Sequence, residues 1–171
     1  NPQAHKPALA RSYNNLARTY YYTQRFQESE AMYKSALAIR ERLAKANPQT
    51  YEPALAASYN SLGNLYSDTQ RFQESEAMYK SALAIRERLA KANPQAYEPA
   101  LADSYNNLGN LYSDTQRFQE SEAMYKSALA IRERLTKANP QVYESDLAAS
   151  YNNLGNLYCA TQRFQESEAM H

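Results

Sequence analysis

RFQESEAMYKSALAIRERL, residues Arg25–Leu43, recurs unchanged at Arg71–Leu89 and Arg117–Leu135, and a shortened copy begins at Arg163. The spacing is 46 residues each time. A fixed period of that size marks an array of one supersecondary unit, each copy burying its apolar face against its neighbours. Cuts at Asn1-Pro2, Asn47-Pro48, Asn93-Pro94 and Asn139-Pro140 give units 1–46, 47–92, 93–138 and 139–171. The chain therefore reads as one repeat array over 1–171, its last unit truncated within the second helix.

Each unit reads as a helix pair. The Asn-Pro-Gln opening predicts a turn, with Asn in a left-handed backbone and Pro stopping the preceding helix. Pro7, Pro53 and Pro99 then fit a first helical turn, and Ser145 takes that place in the fourth unit as a common N-cap. In the second unit, helix A is expected over 53–67, with Leu55, Tyr59, Leu62 and Tyr66 at helical spacing. Helix B is expected over 71–92, with one stripe through Phe72, Ser75, Tyr79, Ala82 and Leu83. A second, slightly rotated stripe runs through Met78, Ala82, Ile85 and Leu89. Two adjoining apolar faces require two partners, the unit's own helix A and the next unit. Glu76 with Lys80, and Glu87 with Lys91, are i,i+4 pairs in the favourable order on an outer, solvated face.

Composition excludes several classes. Charged residues make up 22% and net charge is +1, with both signs interleaved, so no basic footprint for nucleic acid exists. No apolar run is long enough for a membrane span and no secretory leader is legible, so a soluble, cytoplasmic protein is expected. His5 and His171 are the only histidines and Cys159 the only cysteine. No catalytic or metal-ligand spacing forms around them, so neither an enzyme nor a cofactor or metal site is expected. Gly63, Gly109 and Gly155 sit inside helix A, where close approach of helix B would explain a residue that costs about 1 kcal/mol against Ala.

Tyr59-x-x-Leu62-Gly63-x-x-Tyr66, then Ser75-x-x-x-Tyr79 and Ala82-Leu83, resembles the tetratricopeptide repeat (TPR), with Tyr and Ser where that family often has Trp and Ala. The likeness covers the whole chain and is nearest to the kinesin-light-chain-like subtype, in which helix B is lengthened. It implies an all-α solenoid of stacked antiparallel helix pairs forming a right-handed superhelix, whose A helices line a concave peptide-binding groove.

Carried over by position, that groove presents Asn14, Asn60, Asn106 and Asn152 as one column and Asn64, Asn110 and Asn156 as another, with Arg18 replacing the latter in the first unit. A primary amide both donates and accepts, which suits sequence-tolerant capture of a peptide backbone. Two roles fit these asparagines: contact with a ligand, or capping and bridging of neighbouring helices. Arg11 and Arg18 gather at the first unit, whereas Asp68, Asp103 and Asp114 lie further along, so a ligand acidic toward the first unit and basic beyond it would be complementary. The family's carboxylate clamp is only partly matched, by Arg11, Asn14, Arg18 and Asn60. The expected function is a protein–protein interaction scaffold binding a peptide segment. The alternative is a structural array that self-associates weakly end to end through the stacking surface of the incomplete fourth unit.

Overall fold

The computed structural model describes residues 5–170. Among them are eight α-helices and no strand: α1 Lys6–Tyr22, α2 Phe26–Ala46, α3 Pro48–Asp68, α4 Phe72–Ala92, α5 Pro94–Asp114, α6 Phe118–Ala138, α7 Pro140–Ala160 and the short α8 Phe164–Glu168. The odd-numbered helices are the A helices and the even-numbered ones the B helices. The Asn1-Pro2 opening and His171 lie outside the described residues. The chain divides into two compact units, Asn1–Ile85 and Arg86–His171.

The A helices begin earlier than the periodicity suggests, and the Asn expected to be left-handed is extended. α3 starts at Pro48, five residues before the expected 53, because Asn47 is a one-residue joint that ends α2 and caps α3. Its N–H donates to the Leu43 carbonyl at 2.9 Å, and its Oδ1 accepts from the Thr50 N–H at 3.3 Å. Asn47 has φ −146° and ψ 86°, extended and not left-handed, as the proline that follows demands. Pro48 takes the first helical position, where a missing N–H costs nothing. Pro53 then lies inside the helix. The carbonyl it deprives of a donor belongs to exposed Gln49, which water can serve. Asn93 repeats this cap on the Ala96 N–H at 3.2 Å. Ser145 is interior to α7, so the expected cap there is not made; Asn139 precedes Pro140 instead.

The left-handed residues are Gln24, Gln70, Gln116 and Gln162, with φ of 58–60°. At the α3 end the Gln70 N–H bonds the Ser67 carbonyl at 2.9 Å and the Arg71 N–H bonds the Tyr66 carbonyl at 2.8 Å. This is the Schellman arrangement with Gln where Gly is usual. It reverses the chain in three residues and sets each B helix antiparallel to its A helix.

Within Asn1–Ile85 the core gathers Ala17, Tyr33, Leu62, Leu65 and Tyr66, with Phe26, Met32 and Met78 packed against it. Within Arg86–His171 the corresponding cluster is Tyr125, Leu154, Leu157 and Tyr158, flanked by Phe118, Leu129 and Met170. A buried serine ties each hairpin: Ser29 donates to the Ala17 carbonyl, Ser75 to Gly63, Ser121 to Gly109 and Ser167 to Gly155, at 2.8–3.0 Å. The glycines answer to the tyrosine one turn further along helix B. A Cβ on Gly63 would stand 2.6 Å from the Tyr79 ring, and one on Gly109 would stand 2.5 Å from Tyr125.

Candidate binding face of the A helices

The predicted columns lie on exposed or half-buried positions of each A helix. They form a single line on α3 and α5, while α1 and α7 are exposed more widely, Leu9, Leu16 and Val142 among their exposed residues. On α3, Ala57, Asn64 and Asp68 are exposed and Asn60 is half-buried between them, while Leu55, Leu62, Leu65 and Tyr66 face the core. On α1 the line is Arg11, Asn14 and Arg18, with only Asn14 half-buried. On α5 it is Asp103, Asn106 and Asn110, and on α7 Asn152 and Asn156, both exposed. The spacing of three and four residues keeps each set on one side of its helix.

The asparagines differ in what already holds them. The Tyr79 hydroxyl donates to Asn64 Oδ1 and the Tyr125 hydroxyl to Asn110 Oδ1, each at 2.7 Å. Those amides are locked with the oxygen toward the hairpin, leaving the NH2 as a donor with no partner among the described residues. Asn106 Oδ1 accepts from Asn153 Nδ2 at 2.7 Å, a bond between neighbouring A helices. Asn14 Oδ1 lies 3.4 Å from Arg40 Nη1. Asn152 and Asn156 make no side-chain hydrogen bond among the described residues. At Asn14, Asn64, Asn106 and Asn110 the amide oxygen therefore braces neighbouring helices, the second of the two expected roles.

Of the acidic residues expected to meet a basic ligand, Asp103 is taken by Arg132 at 3.0 Å and Asp68 by the Tyr21 hydroxyl. Burial and that carboxylate's hydrogen bond push the Tyr21 phenol well above its ordinary range, the hydrogen bond being the larger cause. Only Asp114 remains exposed with no bond of this kind.

A set of residues that sequence reasoning passed over lies behind this face. Arg132 is 7% exposed; its Nη1 donates to Ser150 Oγ at 2.8 Å and to the Asp146 carbonyl at 3.2 Å. Arg86 does the same to Ser104 and Ala100, at 2.6 and 3.1 Å, and Arg40 to Ser58 and Ala54. Each joins a B helix to the following A helix. The signal was present: Arg86 falls seven residues after Tyr79 and four after Ala82, on the buried stripe itself. Burial pushes the Arg40 and Arg86 guanidinium groups down.

On helix B the expected Glu76–Lys80 pair forms at 2.7 Å, but the glutamates of that position also reach beyond their own helix. Glu30 receives Lys34 at 2.7 Å, Arg71 at 2.6 Å and the Tyr66 hydroxyl at 3.0 Å, and Glu122 repeats this with Lys126, Arg163 and Tyr158. Burial pushes the Glu30 carboxyl up, but the hydrogen bonds from Arg71, Lys34 and Tyr66 outweigh it and hold it at about 2. Glu122 stands at about 2 as well, with Arg163 the leading cause. Each arginine also lies over a tyrosine ring, Arg71 on Tyr66 at 4.2 Å and Arg163 on Tyr158 at 4.4 Å. Glu87 does not serve Lys91; it accepts the Tyr105 hydroxyl at 2.7 Å, as Glu41 accepts Tyr59 at 2.8 Å.

Comparison with known proteins agrees with this geometry. Residues 55–134 match one tetratricopeptide repeat family model, and residues 9–49 and 147–171 match another of the same description. The chain belongs to the tetratricopeptide repeat family, in its long-helix form. Among solved structures it is similar to BtubC (BKLC) from P. vanneervenii, with 30% identity and a TM-score of 0.80 over 96% of this chain and 61% of that one. The apo form of RapI has the same fold, with 16% identity and a TM-score of 0.79 over 96% of this chain and 41% of that one. The chain thus spans less than two thirds of either protein. No curated protein matches it in sequence.

The family is one of protein–protein interaction scaffolds, and the chain has that architecture. Among the described residues, no group of His, Cys, Asp and Glu could hold a metal ion, and no helix is long and apolar enough to cross a membrane.

Proposed function

We propose that the chain binds an extended peptide segment of a partner protein along the exposed line of its A helices, through asparagine amides. The observation that carries this reading is the tyrosine bond at Asn64 and Asn110. It fixes each amide so that its two N–H donors point away from the hairpin, a pre-organised pair that no residue of the scaffold uses. A donor fixed in this way suits a peptide carbonyl, while Asn152 and Asn156 are able to rotate and match either an N–H or a C=O. Backbone capture of this kind tolerates many side chains, so specificity must come from the positions where the repeats differ, Arg11 and Arg18 among them.

The test is a peptide-display selection on the chain, run beside a variant with Asn64, Asn110 and Asn156 changed to Ala and matched in helicity and melting. Selected peptides are then titrated by fluorescence anisotropy. A loss of tenfold or more in affinity supports the reading. Affinity indifferent to those asparagines, or no enrichment at all, sinks it and turns attention to self-association, which sedimentation across a concentration range would detect.

A further inference from the structure

The three B-helix arginines, Arg132 buried and Arg40 and Arg86 half-buried, occupy the same place in the repeat but differ in what answers their charge. In Arg86–His171, Arg132 Nη2 pairs with Asp103 at 3.0 Å, and the Asp103 carboxylate acts electrostatically on Arg86 too. In Asn1–Ile85, Arg40 has only neutral partners: Asn14 Oδ1, Ser58 Oγ and the Ala54 carbonyl. No carboxylate among the described residues pairs with it. The repeat positions equivalent to Asp103 on the two flanking A helices are Arg11 and Ala57, one a second cation and the other neutral. A guanidinium withdrawn from water without a counter-charge is costly.

Beside it lies an open cleft of about 230 Å³, formed by α1, α2 and α3. Arg11 and Arg40 supply its charge, and Pro7, Ala10, Leu43 and Tyr51 supply apolar walls. We propose that this cleft seats the carboxylate of an Asp or Glu side chain from the partner segment, held between Arg11 and Arg40. The proposal rests on the peptide reading of the A-helix face and names one chemical requirement of its ligand. Asp103 shows the arrangement from within: where α5 carries its own carboxylate, the arginine of the following B helix closes on it. In the first unit that carboxylate must come from outside. A guanidinium offers paired donors to a carboxylate, and the apolar walls take the aliphatic stem, which inorganic phosphate lacks.

Two measurements test this. The substitution Arg11→Asp installs on α1 the residue that α5 already has. It should raise the melting temperature by several degrees by supplying Arg40 with a counter-charge; an unchanged or lower value would overturn the proposal. The second is a titration of the Arg40 Nε–Hε resonance with N-acetylglutamic acid α-amide, its glutamine counterpart and inorganic phosphate. A saturable shift is expected with the glutamate probe alone, weakened threefold or more in Arg11→Ala and absent in Arg11→Asp. Equal shifts with the glutamine probe, tighter binding of phosphate, or no saturable shift would each overturn it. Selected peptides separate the two readings. Asparagine-dependent peptides with no acidic preference would sink the carboxylate seat and leave the binding face intact. Glutamate binding at Arg40 with no peptide enriched would support the seat and remove the peptide reading.

Discussion

Two residue choices carry more than their chemistry suggests. Gln70 holds a left-handed backbone that costs a non-glycine residue about 1–2 kcal/mol. The change Gln70→Gly removes that strain, partly offset by the greater freedom glycine has when unfolded. We expect a gain of up to about 1 kcal/mol, read as a melting temperature about 2–4 °C higher; a fall would mean that the Gln side chain contributes something the geometry does not reveal. Gly63 is the opposite case. A methyl there meets the Tyr79 ring, and crowding of about 1–3 kcal/mol exceeds the helix propensity that Ala gains. Gly63→Ala should therefore lower the melting temperature. Adding Asn64→Arg, which reproduces the Ala17–Arg18 pair of α1, frees the ring from its hydroxyl bond and should restore part of the loss. An Ala variant that melts unchanged would show that the ring can move with its hydrogen bond intact.

Glu30 ties α2 to the α3 end and the start of α4 by accepting from Arg71, Lys34 and Tyr66, and its carboxyl is held at about 2. A folded value below the unfolded one stabilises wherever the carboxylate is ionised in both states. The contribution is complete above about pH 4.5 and is lost as pH falls from there toward 2. Glu30→Gln should lower stability at pH 7 and flatten the acid limb over that window, measured by urea unfolding at a series of pH values. An acid limb identical to that of the parent chain would show that the carboxylate is no junction. This link was only half legible. The Glu and Lys spacing was visible in one helix, but Arg71 and Tyr66 reach Glu30 from 41 and 36 residues away, where no local period points. The same limit explains the helix starts. Asn-Pro was correctly located as a boundary, but a one-residue joint and a three-residue turn both read as breaks. Glycine, the usual left-handed residue, is absent from the joint that uses one, where Gln stands instead. The apolar periods of the A and B helices were plain because they depend on neighbours three and four residues apart. The asparagine columns came from the family resemblance, carried over by position, whereas the tyrosine hydroxyls that hold two of those amides could be found only in three dimensions.

At the scale of the whole molecule, stability should behave as a sum over adjoining helix pairs. Glu30 and Glu122 make equivalent junctions in different compact units. Their Gln variants should therefore each lower the urea midpoint, and the double variant should lose the sum to within about 0.5 kcal/mol. A coupling larger than that would mean that the array unfolds as one tight cooperative block. Arg40, Arg86 and Arg132 fit the same scheme: one sequence position, repeated, joins successive hairpins, and a single substitution beside it decides whether its charge is answered.

α2 and α4 have identical sequences, and α6 departs only at Thr136. A chain searching for its fold therefore meets three nearly interchangeable ladders, and what tells them apart is the A helix each must close upon. Ala17 with Arg18 and Gly63 with Asn64 present different seats to the same tyrosine. The single Asn joint allows no slack for a helix to reach past its neighbour. Correct register is thus enforced by tether length more than by recognition. Lengthening the Asn47 joint with a flexible glycine-serine insert removes that restraint and should lower the urea midpoint; an unchanged midpoint would show that the joint holds no register.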